Sequence, residues 1–288
     1  MLLAQITTTT TSHVLAKQTN YISPETGDST AEEHFPVAKT IHSWPFLSGV
    51  DVAASAHGAA IVAFGSSLTD GDGSTKDGNR RWPDVLAERL QKRGSKNAEL
   101  GVLNEGIIGN RLLNDSPRGA GNPYGAALGP AGLARFERDV LAQPGVKYVF
   151  MGLGINDIVF PAFPFTPTTE MVSAEDIIAG YRQLIARAHK KGIRVIGTTM
   201  PPFEHSFFTK PAVTFYTPER ELVRQKVNAW ILSGAAFDAA VDFDKAVRDP
   251  SHPTQLLPAY DSNDHLHAND EGYIATGNAI PLSLFDRR

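Results

Sequence analysis

The chain contains no cysteine, which excludes a disulfide scaffold, a thiolate nucleophile and a cysteine-ligated zinc or iron–sulfur site. It also lacks any apolar run approaching the roughly 20 residues of a membrane span. Neither sign of charge dominates: 27 basic residues stand against 31 acidic ones, for a net charge of -4. With its basic residues scattered, the chain has no field for collecting nucleic acid, and a small neutral or amphiphilic substrate is easier to accommodate. There is no internal repeat, and low complexity is confined to Thr7–Thr11. The opening residues 1–6 have neither the basic region nor the long apolar core of a secretory signal, so the product as written is expected to be cytoplasmic. What remains is a chain of 288 residues, 42% of them hydrophobic, enough to bury one substantial core without a second domain.

Residues 1–20 are expected to form a flexible, polar arm. Residues 21–57 are broken by Pro, Gly, Ser and Asp, which suits an extended extension packed on the body. From residue 58 to 288, short apolar runs alternate with helix-period segments, the pattern of an α/β domain with a mainly parallel sheet. Strands are expected over about 60–65, 99–103, 146–151, 194–197 and 240–243. Helices are expected over about 82–90, 132–141, 174–189, 218–231 and 271–280. In the helix at 82–90, Val85, Leu86 and Leu90 share a face while Arg80, Arg81, Glu88 and Arg89 meet water. Strands with helical crossovers predict a three-layer α/β/α sandwich on a flavodoxin-like, five-stranded parallel sheet, whose ligands bind beyond the carboxyl ends of the strands.

Three polar turns follow three of these strands: Gly65-Ser66-Ser67-Leu68-Thr69-Asp70-Gly71, Asn104 to Asn110, and Gly152-Leu153-Gly154-Ile155-Asn156-Asp157. A parallel sheet brings such turns to one rim. Ser67 is placed where a hydroxyl can be held rigid and still meet substrate. A hydroxyl at its ordinary pKa is a weak nucleophile, so it needs a base and oxyanion donors. His267 can take its proton, and Asp264, three residues earlier, can fix the imidazole tautomer and stabilise the imidazolium. The backbone amides of Ser67 and Gly109 and the side-chain amide of Asn156 are the candidate oxyanion donors.

These blocks resemble those of the SGNH hydrolases, the group that includes the GDSL lipases and esterases, over about residues 58–285. Ser67 matches that family's nucleophile, Gly109 its second-block glycine, Asn156 its third-block asparagine, and Asp264 with His267 its final Asp-x-x-His. Trp82-Pro83-Asp84, Gly106 to Leu112, Ala179-Gly180-Tyr181 and Asn269 to Tyr273 are further similar to a bacterial secreted, esterase-like subgroup. Members of that subgroup often carry a β-rich amino-terminal domain, of which residues 21–52 resemble only the tail. The resemblance implies the SGNH hydrolase fold and a serine esterase working through an acyl-enzyme, on short-chain acyl or acetyl esters. It implies no cofactor, and it points to secreted relatives where the visible start points inward. One departure is plain: Ser66 stands where the family usually has aspartate.

Blander readings compete at individual positions. Gly106 is expected to allow a close backbone approach, Asp157 to cap a helix or loop, and Asp70 to support the loop after Ser67. Asn110 and Arg111 could rim the site or pin loops. Phe160, Phe163, Phe165, Phe203, Phe207, Phe208 and Phe215 could line an acyl pocket or form a satellite core under long loops. Trp44 and Trp82 suit packing. Asp264, His265, His267 and Asp270 carry ligand chemistry, but without a second histidine cluster at ligand spacing no metal is expected. Two alternatives remain beside hydrolysis: acyl transfer through the same nucleophile, and a non-catalytic carbohydrate- or lipid-binding protein on the same fold.

Overall fold

The computed structural model describes residues 12–24, 28–29, 31–45, 47–55, 57–94, 99–117, 122–209, 212–234 and 236–286. The polythreonine stretch at 7–11 and Phe46 lie outside the described residues. Five parallel strands form the central sheet: β1 (Ala59–Gly65), β2 (Leu100–Gly106), β3 (Val146–Gly152), β4 (Arg194–Thr198) and β5 (Ala239–Val241), in the spatial order β2-β1-β3-β4-β5. That order is the flavodoxin-like one, with the reversal beside β1. In register, Gly65 at the end of β1 stands opposite Gly106 of β2 on one side and Gly152 of β3 on the other. Three successive loops therefore leave the sheet from one row.

Alternate residues of β1 feed two cores, because side chains on a strand point to opposite faces. Val62 and Phe64 join Phe136, Leu184 and Ile231, packing α3 (Gly132–Phe136), α5 (Ala174–Lys190) and α6 (Pro218–Leu232) on one face. Ile61 and Ala63 join Trp82, Leu86 and Tyr273 beneath α2 (Trp82–Lys92) and α8 (Asp270–Asn278) on the other. The result is the three-layer α/β/α sandwich. No helix among the described residues is long and apolar enough to cross a membrane.

Some local expectations differ from the structure. The segment expected to be one helix over 132–141 changes at Phe136 into a wider, π-type turn over Glu137–Leu141. The last strand ends at Val241, because Asp242 accepts a hydrogen bond from the Lys245 amide and starts α7 (Phe243–Val247), so Phe243 is helical. A two-stranded hairpin, Phe207–Thr209 with Ala212–Thr214, rises from the connection after β4. Arg81, expected to meet water, is buried, its guanidinium donating to the Ala16 carbonyl at 2.8 Å. Residues 12–20, expected within a flexible arm, are instead tied down: Ser12–His13 pairs with Trp44–Pro45, Asn20–Ile22 with Lys39–Ile41, and Ala16 is buried.

Candidate active site

Ser67 begins a single helical turn, α1 (Ser67–Asp70), directly off β1. Ser66 is extended, and its carbonyl accepts from the amides of Thr69 at 2.9 Å and Asp70 at 2.8 Å. The turn closes at Gly71 with φ of 95°, a left-handed conformation that glycine adopts without a Cβ penalty. Alongside, Gly106 must be glycine, since a Cβ there would lie 2.2 Å from the Asp70 amide nitrogen.

The loop before α8 carries His267 and Asp264. The Ser262 amide donates to the His267 carbonyl at 3.0 Å and closes the loop on itself. Asp264 Oδ1 accepts from the amides of Leu266 (2.9 Å) and His267 (2.8 Å), while Oδ2 accepts from His267 Nδ1 at 2.5 Å. With Nδ1 protonated by that pairing, Nε2 is left as an acceptor, and it lies 2.8 Å from Ser67 Oγ across 200 residues of sequence. Burial opposes ionisation of Asp264, but the hydrogen bond and charge of His267 and the two amides outweigh it and hold the carboxyl well below its ordinary range. For His267, burial pulls the imidazole pKa down. Asp264, by hydrogen bond and charge, and Asp72, by charge, more than reverse this, so the net shift is upward.

The other two loops leave the sheet from the same row as the turn carrying Ser67. Gly109 has φ of 67°, and Asn156 lies in the first turn of α4 (Ile155–Val159), which opens at Gly154 with φ of 104°. Asn156 Nδ2 donates to the Asn110 carbonyl at 3.0 Å, which binds the second and third loops together. A side-chain amide has two N–H groups, so one remains for a ligand. Among the described residues, no hydrogen bond of the fold engages the amide of Ser67 or of Gly109. Ser67 itself is buried, only 3% exposed, as a short side chain held in the turn after β1.

The profile of the GDSL-like lipase/acylhydrolase family matches residues 61–280, three quarters of the chain. The chain belongs to this family. Its members are serine-based ester hydrolases, and this chain is a hydrolase of that type. Solved structures of the same fold include an aryl esterase from Mycobacterium smegmatis, 18% identical, with a TM-score of 0.56 over 77% of this chain and 95% of that one. A carbohydrate acetylesterase from Sinorhizobium meliloti is 15% identical, with a TM-score of 0.53 over 77% and 95%. A GDSL-like lipase from Bacteroides thetaiotaomicron is 18% identical, with a TM-score of 0.51 over 76% and 84%. No curated protein matches the chain.

Around the GDSL-type loops, several side chains act as braces. Asp157 is buried and accepts from the amides of Leu112 (2.7 Å) and Leu113 (2.9 Å), and burial lifts its pKa to about 6 despite those bonds. Asn110 donates to the carbonyls of Leu128 and Pro130, both at 2.8 Å. Arg111 is buried and paired with Glu170 at 2.6 Å, so it pins loops and does not rim the site. Asp70 accepts from the Ile108 amide at 3.2 Å and meets His13 Nε2 at 2.8 Å, thus bracing the second loop as well as its own. Phe160, Phe163, Phe165, Phe203 and Phe215 are buried in the main core, the satellite reading of the two offered by the sequence. Phe207 is exposed, and Phe208 packs on Phe163.

One supporting residue escaped the sequence reading. Arg135 is buried under the site and donates to the carbonyls of Gly65 (2.8 Å) and Glu105 (2.9 Å), to Asn110 Oδ1 (2.9 Å) and to Asp139 (2.9 Å). Its spacing from Asp139 looks like an ordinary i,i+4 surface pair. Both residues instead lie on the buried face, at ordinary helical spacing with Gly132, Phe136 and Val140. Among the described residues, no group of three or more His, Asp or Glu side chains is placed to hold a metal ion.

Proposed function

We propose that Ser67 is the nucleophile, His267 the general base and acid, and Asp264 the group that orients it, in hydrolysis of short-chain acyl or acetyl esters. The observation that carries this reading is the continuous chain from Asp264 through His267 to Ser67, with contacts of 2.5 and 2.8 Å. In the first step, Ser67 Oγ adds to the ester carbonyl as its proton passes to His267 Nε2. The negative charge on the carbonyl oxygen is met by the amides of Ser67 and Gly109 and by Asn156. Collapse expels the alcohol, which takes the proton back from His267 and leaves an acyl-Ser67. Water then repeats the sequence, with its proton passing to His267, and releases the acid and the free hydroxyl. No cofactor takes part in these steps.

The preference for small acyl groups rests on the resemblance, since a carbohydrate acetylesterase is among the similar structures, and it is supported by the packing of Phe160, Phe163, Phe165, Phe203 and Phe215 into the core rather than into an open pocket. A series of acetyl to octanoyl esters tests the size reading: kcat/KM should be highest for acetyl or butyryl and fall at least tenfold by octanoyl. A flat or rising profile contradicts it.

A further inference from the structure

We propose that Lys17 is a positioning residue of the active site, which pairs with Asp72 on the nucleophile's turn and so offsets a second carboxylate beside the Ser67–His267 pair. The inference rests on the assignment of His267 as the base and extends the site to the amino-terminal segment.

Asp72 is fastened to the nucleophile's own turn. Its amide donates to the Ser67 carbonyl at 3.0 Å, and its carbonyl accepts from the Tyr273 hydroxyl at 2.6 Å. Held there, its carboxylate lies close enough for its charge to act on His267. Lys17 Nζ sits 3.1 Å from Asp72 Oδ1, and its own charge acts on His267 in the opposite sense. The two side chains are 17% and 27% exposed, so the pair is shielded from water more than an ordinary surface ion pair.

Lys17 is placed with care. Its φ of 53° is a left-handed conformation that an L side chain rarely adopts, and such strain persists only where the surroundings fix it. Here they do. The Ala16 amide donates to the His42 carbonyl at 2.9 Å, and the Ala16 carbonyl accepts from Arg81 at 2.8 Å. The Asp77 amide donates to the Lys17 carbonyl at 3.0 Å, and Thr19 donates to the Asp77 carboxylate through both its amide and its hydroxyl at 2.6 Å. The strap from Ser12 to Asn20 thus grips the 70–81 loop on both sides of Lys17 and directs its ammonium at Asp72.

The charged and titratable groups that bear on His267 come from three elements. Asp264 belongs to its own loop, Asp72 to the loop after α1, and Lys17 to the strap. Tyr273 on α8 is linked to Asp72 through its hydroxyl, and burial, with Asp72, Asp264 and Asp70 adding to it, keeps that phenol protonated. His13 and Arg81 act on Asp70 at the end of α1 rather than on His267. An unpaired Asp72 would stabilise the imidazolium, so that His267 held its proton to higher pH and was withdrawn from service as a base. Lys17 offsets part of this pull, leaving Asp264 as the main carboxylate that governs the imidazole.

The test is the titration of His267 by NMR in the full chain, beside the pH profile of kcat/KM on acetyl esters. Lys17→Ala should move the His267 titration and the acid limb upward by about half a pH unit, the scale of one partly screened charge. Asp72→Asn should move both downward. Lys17→Arg should restore the wild-type values, and in Asp72→Asn the further change Lys17→Ala should lose its upward effect. If Lys17→Ala lowers the melting temperature or kcat at every pH while the His267 titration stays put, the strap is merely structural and the proposal is overturned. Should Lys17→Ala fail to fold, an unmoved titration in Asp72→Asn overturns it equally. The NMR reading needs no turnover, so a moved titration without ester hydrolysis would sink the catalytic assignment and leave the charge pairing standing.

Discussion

Ser66 occupies the place where the GDSL-type first block usually carries aspartate, and its hydroxyl is buried with no hydrogen-bond partner among the described residues. The work at this position is done by its carbonyl, which accepts two amides and starts the nucleophile's turn. A buried polar atom that makes no bond contributes nothing to stability and carries a desolvation penalty. Ser66→Ala should therefore leave the chain at least as stable as wild type in urea unfolding, with kcat/KM changed less than threefold. The neighbouring Ser67 is the opposite case: Ser67→Ala should abolish turnover while the fold persists by circular dichroism. Asn156→Ala removes one oxyanion donor and should lower kcat by about 10² to 10³ while KM changes little. Because the proposed base works only when neutral, the acid limb of kcat/KM should lie above 6.5, the ordinary histidine value from which His267 is raised. The five residues proposed for the chemistry were legible because each sits in a short block tied to a strand end or an Asp-x-x-His spacing. The orphan state of Ser66 was not, since it depends on what surrounds the hydroxyl.

At the scale of elements, β1 to β5 were legible because each is a short apolar run bounded by turn residues, and buried parallel strands carry little else. The hairpin at Phe207–Thr209 and Ala212–Thr214 was missed. Its strands are three residues each, too short for alternation to stand out from an aromatic-rich loop. The strap was missed for another reason: Lys17, Thr19 and Asp77 are partners across about 60 positions, and polar pairings at that range leave no periodic trace. Arg135 shows how an element's geometry decides a residue's role. Set on the buried face of α3, it holds the carbonyls at the ends of β1 and β2 in place, two residues before Ser67 in the case of Gly65. Arg135→Met removes those donors, leaving buried carbonyls and Asn110 unpaired. It should cost about 3–5 kcal/mol in urea unfolding. A loss below 1 kcal/mol would mean that the row of strand ends does not depend on it.

Across the whole molecule, the buried carboxyls set a pH dependence of stability that runs opposite to the usual acid lability. Burial raises Asp157 to about 6, and burial with the charge of Asp139 raises Glu105 to about 7. Between about pH 4 and those values the native protein binds more protons than the unfolded chain, so stability falls as pH rises through this window. His267 is also raised. Its contribution is present below its unfolded value of 6.5 and is lost as pH climbs through the higher folded value. Asp264 is depressed, so its contribution is present above its unfolded 3.8 and is lost only on acidification below that. Thermal melts at constant ionic strength should accordingly give a higher midpoint at about pH 5 than at about pH 8. A higher midpoint at pH 8 would contradict the raised states of Asp157 and Glu105.

The central claim is that Ser67, activated by His267, forms a covalent bond to substrate. The most direct measurement is intact mass and peptide mapping after treatment with a serine-reactive fluorophosphonate, run beside Ser67→Ala and His267→Ala. One label per chain on the Ser67 peptide, absent in Ser67→Ala and slowed at least a hundredfold in His267→Ala, is the predicted result. Folded protein that stays unlabelled at Ser67, and inactive on acetyl to octanoyl esters, would contradict the account and leave the fold as the frame of a binding protein.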